Sequence, residues 1–168
     1  MKVLGIDPGT HRIGWAIVEG NPSKQTALKH GCLESPPKPP SSVYLPKIYD
    51  FLTSLMDEHD LDAVGIESLL FQKNVKTAIS VAEARGVIEL VGYQHHLPVH
   101  TLAPNTIKSA VAGHGGASKL DVIRMVGLLL NIDASKLIDD ECDALAVGMT
   151  TIITNYLDSN NQEPRTNN

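Results

Sequence analysis

The chain has 168 residues, a length typical of one globular domain that buries a core of its own. Hydrophobic residues make up 42% of it and charged residues 20%, which excludes a wholly disordered chain, a collagen and a coiled coil. No apolar run approaches the roughly 18 residues of a membrane span. Two cysteines are too few for a disulfide framework, so we expect a cytoplasmic protein.

Charge is distributed unevenly along the chain. The formal net charge of −5 by itself argues against nucleic-acid binding, because contacts to phosphates need lysine and arginine. Residues 72–124, however, carry six basic and three acidic side chains, and the rest of the chain is correspondingly more acidic. The sequence therefore allows a basic surface on one part of the molecule and a group of acids on another.

The first part of the chain predicts three strands in close succession. Residues 2–6 are apolar and lead to Asp7, and the Pro8-Gly9 pair then turns the chain. Residues 13–19 predict a second strand, near enough to pair with the first as a hairpin, and a third strand is expected within 25–34. We therefore expect the sheet to begin with antiparallel strands.

A proline-rich segment, residues 35–42, separates these strands from the first helix. Such a segment can be a polyproline ligand for a partner domain, but a stiff connector is the simpler interpretation. Ser41 or Ser42 can cap the helix that follows, and apolar residues from Tyr44 to Met56 recur at helical spacing.

The remainder of the chain alternates between strands and helices. Residues 62–66 predict a buried strand that ends at Glu67. After it we expect a helix over 75–94 and a short strand at 98–102. Three further helices follow, from Pro104 to about 112, from Ser118 to Leu130 and from Asp139 to Tyr156. This order predicts an α/β protein with a mixed sheet, antiparallel in its first three strands and parallel afterwards, in one domain over residues 1–157. Residues 158–168 form a polar tail that we expect to be disordered.

Four carboxylates lie at strand ends and at the start of a helix, positions that such a sheet would bring together. Two apolar strands lead to Asp7 and Glu67, and the ligands of open α/β sheets collect at the carboxyl ends of strands. Asp140 and Asp143 are spaced i and i+3, so one face of the last helix presents both. Four carboxylates at one place repel each other, and a hard divalent cation such as Mg²⁺ relieves that repulsion. Two such ions can activate a water and stabilise the leaving oxygen of a phosphodiester.

Each acid taken alone has a simpler, structural explanation. An aspartate at a strand end is commonly a turn former, and the helix dipole favours acids at a helix start, such as those over 139–141. Asp143 is more informative, because the residues that follow it are apolar and an unpaired charge is unfavourable among them. The three acidic segments together, rather than any one of them, favour a catalytic site.

With these residues the chain resembles the RuvC family of bacterial Holliday-junction resolvases over about residues 2–155. The resemblance rests on the order and spacing of Gly5-Ile-Asp-Pro-Gly9 with Gly14, Ile66-Glu67, Lys73-Asn74, Ala84-Arg-Gly86, Lys108, Lys119 and Asp140-x-x-Asp143-Ala-Leu-Ala146. It implies an RNase H-like fold and a homodimer. It also implies Mg²⁺ or Mn²⁺, two ions per active site, as the cofactor for paired symmetric nicks in four-way junction DNA. RuvA and RuvB, the branch-migration proteins, are the implied partners.

The resemblance also implies roles for single residues. The family's catalytic, metal-binding acids correspond to Asp7, Glu67, Asp140 and Asp143. Its DNA-contacting lysines correspond to Lys108 and Lys119, and we expect Lys73 and Lys76 to contact the DNA backbone as well. The helix over 75–94 would supply the dimer interface, which agrees with its small residues.

One position departs from the family pattern. Three residues after the glutamate the family often has a phenylalanine that stacks on a junction base, and this chain has Leu70 there, followed by Phe71. Either Phe71 takes over the stacking or Leu70 acts as an apolar wedge in the DNA.

Three other functions stay open at this point. A YqgF-like nuclease of the same fold, implicated in ribosomal RNA maturation, shares the early Asp-x-Gly pattern. An actin-like or sugar-kinase ATPase has a similar first phosphate loop but needs two related domains, for which 168 residues are too few. A junction-binding protein without catalysis is the third, and the presence of all four acids argues against it.

Overall fold

The computed structural model describes residues 1–9, 11–35, 40–68 and 75–161. In this part of the chain five strands form one sheet: β1 (Lys2–Pro8), β2 (Arg12–Asn21), β3 (Lys24–Glu34), β4 (Ala63–Glu67) and β5 (Val99–Leu102). The α-helices are α1 (Ser41–Glu58), α2 (Val75–Gln94), α3 (Pro104–Ala112), α4 (Lys119–Leu130) and α5 (Asp139–Asn161). None of the helices over these described ranges is long and apolar enough to cross a membrane.

The sheet is mixed, as the sequence predicted. Its strand order is β3-β2-β1-β4-β5; the β1–β2 and β2–β3 pairs are antiparallel, and the β1–β4 and β4–β5 pairs are parallel. Asp7 of β1 lies opposite Gly14 of β2, and Gly5 lies opposite Gly65 of β4. The carboxyl ends of β1 and β4 therefore reach the same edge of the sheet side by side.

Helices cover both faces of the sheet, and strand alternation decides which residue meets which face. On β1, Leu4 and Ile6 pack with the apolar residues of α1 and α2, whereas Val3 packs with those of α3, α4 and α5. Because successive side chains of a strand point to opposite faces, Asp7 shares the α5 face with Val3. The same alternation along β4 places Glu67 on the α5 face, because Ile66 packs with α1 and α2.

Helix α5 lies directly on the strands because the sheet presents glycines to it. A Cβ atom at Gly14 would collide with the main-chain carbonyl of Asp140, and one at Gly5 would collide with that of Ala144. A Cβ atom at Gly65 would meet the hydroxyl of Thr151 farther along the same helix. The first turns of α5 are thereby held above the strand ends that carry the two predicted acids.

Helix ends differ from the predictions in two places. The prediction that Ser41 or Ser42 caps α1 is wrong: Pro40 is the N-cap residue, no side chain caps this end, and the Ser41 hydroxyl donates to Glu83 of α2 at 2.8 Å. Helix α5 continues to Asn161 rather than ending at Tyr156, so the first residues of the predicted tail are helical. Residues 162–168 lie outside the described ranges.

The glycine contact with α5 makes a testable prediction about stability. Gly14→Ala forces the start of α5 away from β2, and overpacking of this kind costs about 1–3 kcal/mol. We expect urea denaturation to show a free energy of unfolding lowered by that amount. Gly116→Ala is the matched control, because a Cβ atom there has no neighbour closer than 3.7 Å. Equal urea midpoints for the two variants would contradict the close contact between Gly14 and the main chain of Asp140.

Candidate active site

Two carboxylates come together at the carboxyl edge of the sheet. Asp7 and Glu67 directly follow Ile6 and Ile66, the last pair of the parallel β1–β4 ladder. The negative charge of Glu67 raises the pKa of Asp7, so the two carboxyl groups lie close together, and both residues are half-buried. The structure therefore brings these two predicted site residues to one place.

The start of α5 adds the other two acids. Asp140 sits where the helix main chain contacts Gly14, opposite Asp7 on the neighbouring strand. Asp143, three residues later, is near enough to raise the pKa of both Asp7 and Glu67. All four predicted acids thus form one group, built from the ends of two strands and the first turn of a helix.

Two basic side chains pair with the acids of α5. Lys119 donates from Nζ to Asp143 Oδ2 at 3.0 Å and lies 3.2 Å from Asp139 Oδ2. Arg12 donates from Nη1 to Asp140 Oδ2 at 3.3 Å. Positive charges of the protein therefore neutralise part of the group while no other cation is bound.

Lys119 owes its position to the way α4 begins. Ser118 is the N-cap, and it forms a capping box in which its hydroxyl accepts from the Asp121 amide while the Asp121 carboxylate accepts from the Ser118 amide. Lys119 is therefore the first helical residue, where the helix dipole disfavours a positive charge. Its ion pairs with α5 compensate for that placement.

Asp7 is the acid most affected by its surroundings. Burial, together with the negative charges of Asp143, Glu67 and Asp140, raises the pKa of this carboxyl to about 7. Burial and the charge of Asp143 also raise the pKa of Glu67, against the opposing charge of Lys119. The group therefore holds more negative charge than its surroundings neutralise.

The donor set fits a hard divalent cation. The four side chains offer carboxylate oxygens, the ligands that Mg²⁺ prefers, and a bound cation removes the repulsion that raises the pKa of Asp7. Among the described residues, no three His, Cys, Asp or Glu side chains are already arranged around one ion position. Lys119 and Arg12 each pair with one oxygen of a carboxylate, Asp143 Oδ2 and Asp140 Oδ2, so part of this donor set already has a partner.

A pocket of about 210 Å³ opens beside the acids. Its lining includes the acids Glu67 and Asp143, the lysines Lys108 and Lys119, and apolar side chains. The two lysines that the sequence assigned to DNA contacts are thus next to the carboxylates. Lys76 belongs to the first turns of α2, whereas Leu70, Phe71 and Lys73 lie outside the described residues.

Sequence reasoning missed two basic residues of the site. Arg12 pairs with Asp140, which is 128 positions away in the chain, and Arg85 of α2 donates to the main-chain carbonyl of Glu67 at 2.9 Å. Arg85 lies within the Ala84-Arg-Gly86 segment, which is part of the family resemblance. That segment pointed to Arg85 but did not indicate what the residue does. Arg12 had no comparable signal, because only the folded chain brings it to α5.

The raised pKa of Asp7 predicts how stability depends on pH in EDTA. The folded chain binds this proton more tightly than the unfolded chain, whose pKa is 3.8. Its contribution to stability is complete below about pH 4 and is lost as the pH rises through about 7. Asp7→Asn, which carries no charge, should therefore match the wild type at pH 4 and exceed its melting temperature at pH 8. Each kcal/mol gained corresponds to about 2–4 °C for a chain of this size.

Asp133→Asn is the control, with the opposite expected sign. Hydrogen bonds from Lys136 and Ser135 lower the pKa of this exposed aspartate, so its contribution is present at pH 8 and lost in acid. Thermal unfolding in EDTA at both pH values measures the two variants. A lower melting temperature for Asp7→Asn than for the wild type at pH 8 would contradict the raised pKa of Asp7.

Known proteins resemble this chain over nearly its whole length. The family model of the crossover junction endodeoxyribonuclease RuvC matches residues 3–151. A crossover junction endodeoxyribonuclease RuvC from Halothermothrix orenii is 40% identical over 149 residues, which cover 89% of this chain and 90% of the relative. One from Thermosipho melanesiensis is 42% identical over 147 residues, 88% of this chain and 94% of the relative.

A solved structure gives the same result. The fold superposes on T. thermophilus RuvC in complex with a Holliday junction substrate with a TM-score of 0.89 and 26% identity, covering 95% of this chain and 97% of that chain. The sheet order and the two helical layers described above are therefore those of an RNase H-like resolvase. Together, the family model, the relatives and the fold show that this chain belongs to the RuvC family of crossover junction endodeoxyribonucleases.

Proposed function

We propose that this chain resolves four-way DNA junctions by paired symmetric nicks, as a metal-dependent endonuclease in recombination and repair. The observation that carries the proposal is the group of four carboxylates, with two lysines beside it, at one sheet edge of a RuvC-family fold. A YqgF-like nuclease acting on ribosomal RNA precursors, the alternative from the sequence, is not favoured, because the matching family and relatives are RuvC.

The four acids, Asp7, Glu67, Asp140 and Asp143, would hold Mg²⁺ or Mn²⁺, two ions in each site. When bound, such ions supply Lewis acidity that activates a water and stabilises the leaving oxygen of a phosphodiester. Asp7 is near enough to the other three acids for each of them to raise its pKa, so it would hold the ions together with them. The main-chain contact between α5 and Gly14 would keep Asp140 in place against the repulsion of its neighbours.

The basic residues would bind the DNA backbone beside the acids. Lys108 and Lys119 line the pocket next to Glu67, so a phosphate held there would lie close to the carboxylates. We assign Lys73 and Lys76 to the same contact with the DNA backbone. We propose that Leu70 or Phe71 inserts against a base at the junction. Such contacts position the DNA and read its shape rather than its bases, which suits an enzyme selective for a junction.

Paired nicks require two active sites, and the outer face of α2 would supply a dimer interface. Ile79, Leu90 and Tyr93 share this face and are about half exposed or more, with Tyr93 77% exposed. A Cβ atom at Gly86, on the same face, would meet nothing within 4 Å, which leaves room for a second helix. A symmetric pair of α2 helices would bury these apolar side chains.

The remaining parts of the proposal concern cellular context. RuvA and RuvB are the proposed partners, because the branch-migration complex acts on the same junction. The substrate, chromosomal DNA, places the enzyme in the cytoplasm of a bacterium. We assign the whole activity to one nuclease domain over residues 1–157, since its residues come from β1 through α5.

A cleavage assay on a synthetic four-way junction tests the activity. With Mg²⁺ we expect paired, ligatable nicks in the junction, no cleavage of linear duplex, and no cleavage in EDTA. Asp7→Asn should abolish cleavage, a loss of at least about 10³-fold, while it leaves junction binding intact because the lysines remain. Asp50→Asn, an exposed aspartate of α1, is the control and should cut like the wild type. Near-normal cleavage by Asp7→Asn would contradict the metal site.

Sedimentation velocity tests the dimer. Leu90→Glu places a charge in the proposed interface and should convert the dimer to a monomer. Leu129→Glu is the matched control, because Leu129 on α4 is 48% exposed and Leu90 is 49% exposed. If only Leu129→Glu dissociates the dimer, or if neither variant does, the interface does not involve this face of α2.

A further inference from the structure

Arg85 joins three elements behind the catalytic edge. Its Nη1 donates to the main-chain carbonyl of Glu67 at 2.9 Å, and its Nη2 donates to the Thr101 hydroxyl of β5 at 3.0 Å. The same Nη2 lies 2.8 Å from Glu89 Oε1, one helical turn along α2. The side chain is only 14% exposed, so the guanidinium faces the protein rather than solvent.

Glu67 needs such a partner because β4 has stopped pairing with β1 at this point and is held on one side only, by β5. The β1–β4 ladder ends at the Ile6–Ile66 pair, while β5 continues beside β4 to Leu102, whose carbonyl accepts from the Ser68 amide at 2.8 Å. The Glu67 carbonyl lies one residue beyond that last pair with β1. A hydrogen bond from a charged donor is about twice as strong as a neutral one, so Arg85 fixes the main chain from which the carboxylate projects.

We propose that Arg85 is a positioning residue that holds Glu67 in place to bind the metal ion together with Asp7. The inference rests on the proposed function, which makes Glu67 a metal ligand. Arg85 does not serve as a DNA contact, because its donors already face acceptors of the protein. It also connects the main chain of this acid to α2, the helix proposed for the dimer interface.

The chemistry of arginine suits this role better than that of lysine. The guanidinium is a planar fork with donors in fixed directions, and here the acceptors belong to α2, β4 and β5. A lysine ammonium is a single point on a flexible stem and cannot reach all of them with good geometry. Arg85→Lys should therefore restore part of the function that Arg85→Gln loses.

The test measures metal binding and DNA binding separately. The variants are Arg85→Gln, Arg85→Lys and the matched control Glu89→Gln, which leaves the bonds to Glu67 and Thr101 in place. For each we measure the rise in melting temperature on adding Mg²⁺ without DNA, the Mg²⁺ concentration for half-maximal junction cleavage, and junction affinity in EDTA. Arg85→Gln should need about 10–100-fold more Mg²⁺ in both metal assays, with junction affinity unchanged.

The controls separate positioning from a general loss of structure. We expect Glu89→Gln to behave like the wild type and Arg85→Lys to lie between the wild type and Arg85→Gln. The proposal would be overturned if Arg85→Gln needed the same Mg²⁺ concentration as the wild type. It would also be overturned if the loss of cleavage in Arg85→Gln were fully explained by a smaller fraction of folded protein. If Arg85→Gln does not fold, Thr101→Val removes one acceptor of Arg85 at an exposed position, and an unchanged Mg²⁺ requirement there would overturn it.

Failure of the proposed function gives a different result. If the wild type cuts no junction, the proposed function is wrong, whatever the variants do. The role of Arg85 is then decided by the Mg²⁺-induced rise in melting temperature: a rise in the wild type that Arg85→Gln weakens supports positioning, and equal responses overturn it.

Discussion

The direct contact between the main chain of α5 and the sheet is the constraint on which the site depends. At Gly5 and Gly14 the strands meet the main chain of α5 directly, and at Gly65 they meet the Thr151 side chain, so the helix lies close to the sheet. Its first turn then carries Asp140 and Asp143 to the ends of β1 and β4. Four carboxylates on flexible segments would move apart, because close and partly buried negative charges are unfavourable. The same burial and repulsion raise the pKa of Asp7 to about 7. Packing of the helix on the sheet keeps them together.

Counter-charges make this arrangement tolerable in the folded chain. Lys119 stands at the first helical position of α4, against the preference of the helix dipole, and pairs with Asp143. Arg12 does the same for Asp140 from the start of β2. Under the proposed function, Lys119 would contact DNA phosphates when a metal ion takes over its carboxylate. One lysine would thus stabilise the metal-free protein and also bind substrate.

Helix α2 links the two halves of the proposed function. Its inner face packs against the sheet through Ala84 and Ile88 and carries Arg85 to the Glu67 carbonyl. Its outer face presents Leu90 and Tyr93, which are exposed in one chain. A dimer built on that face would set the distance between two catalytic edges, and Arg85 would connect each edge to the interface. The spacing of paired nicks would then follow from a single rigid element.

Local patterns were sufficient to predict the order and type of the strands and α-helices and the position of each acid within them, because periods of 2 and 3.6 residues are properties of short segments. The apolar segments before Asp7 and Glu67 already put both acids at strand ends, and the i, i+3 spacing put Asp140 beside Asp143. The other features of the site depend on long-range packing. It replaced the expected cap of α1 with a contact from Ser41 to Glu83, and it paired Arg12 with Asp140 and Arg85 with Glu67. Those contacts join residues far apart in the chain, so no local pattern specifies them, and they exist only once α2 and α5 have packed on opposite faces of the sheet.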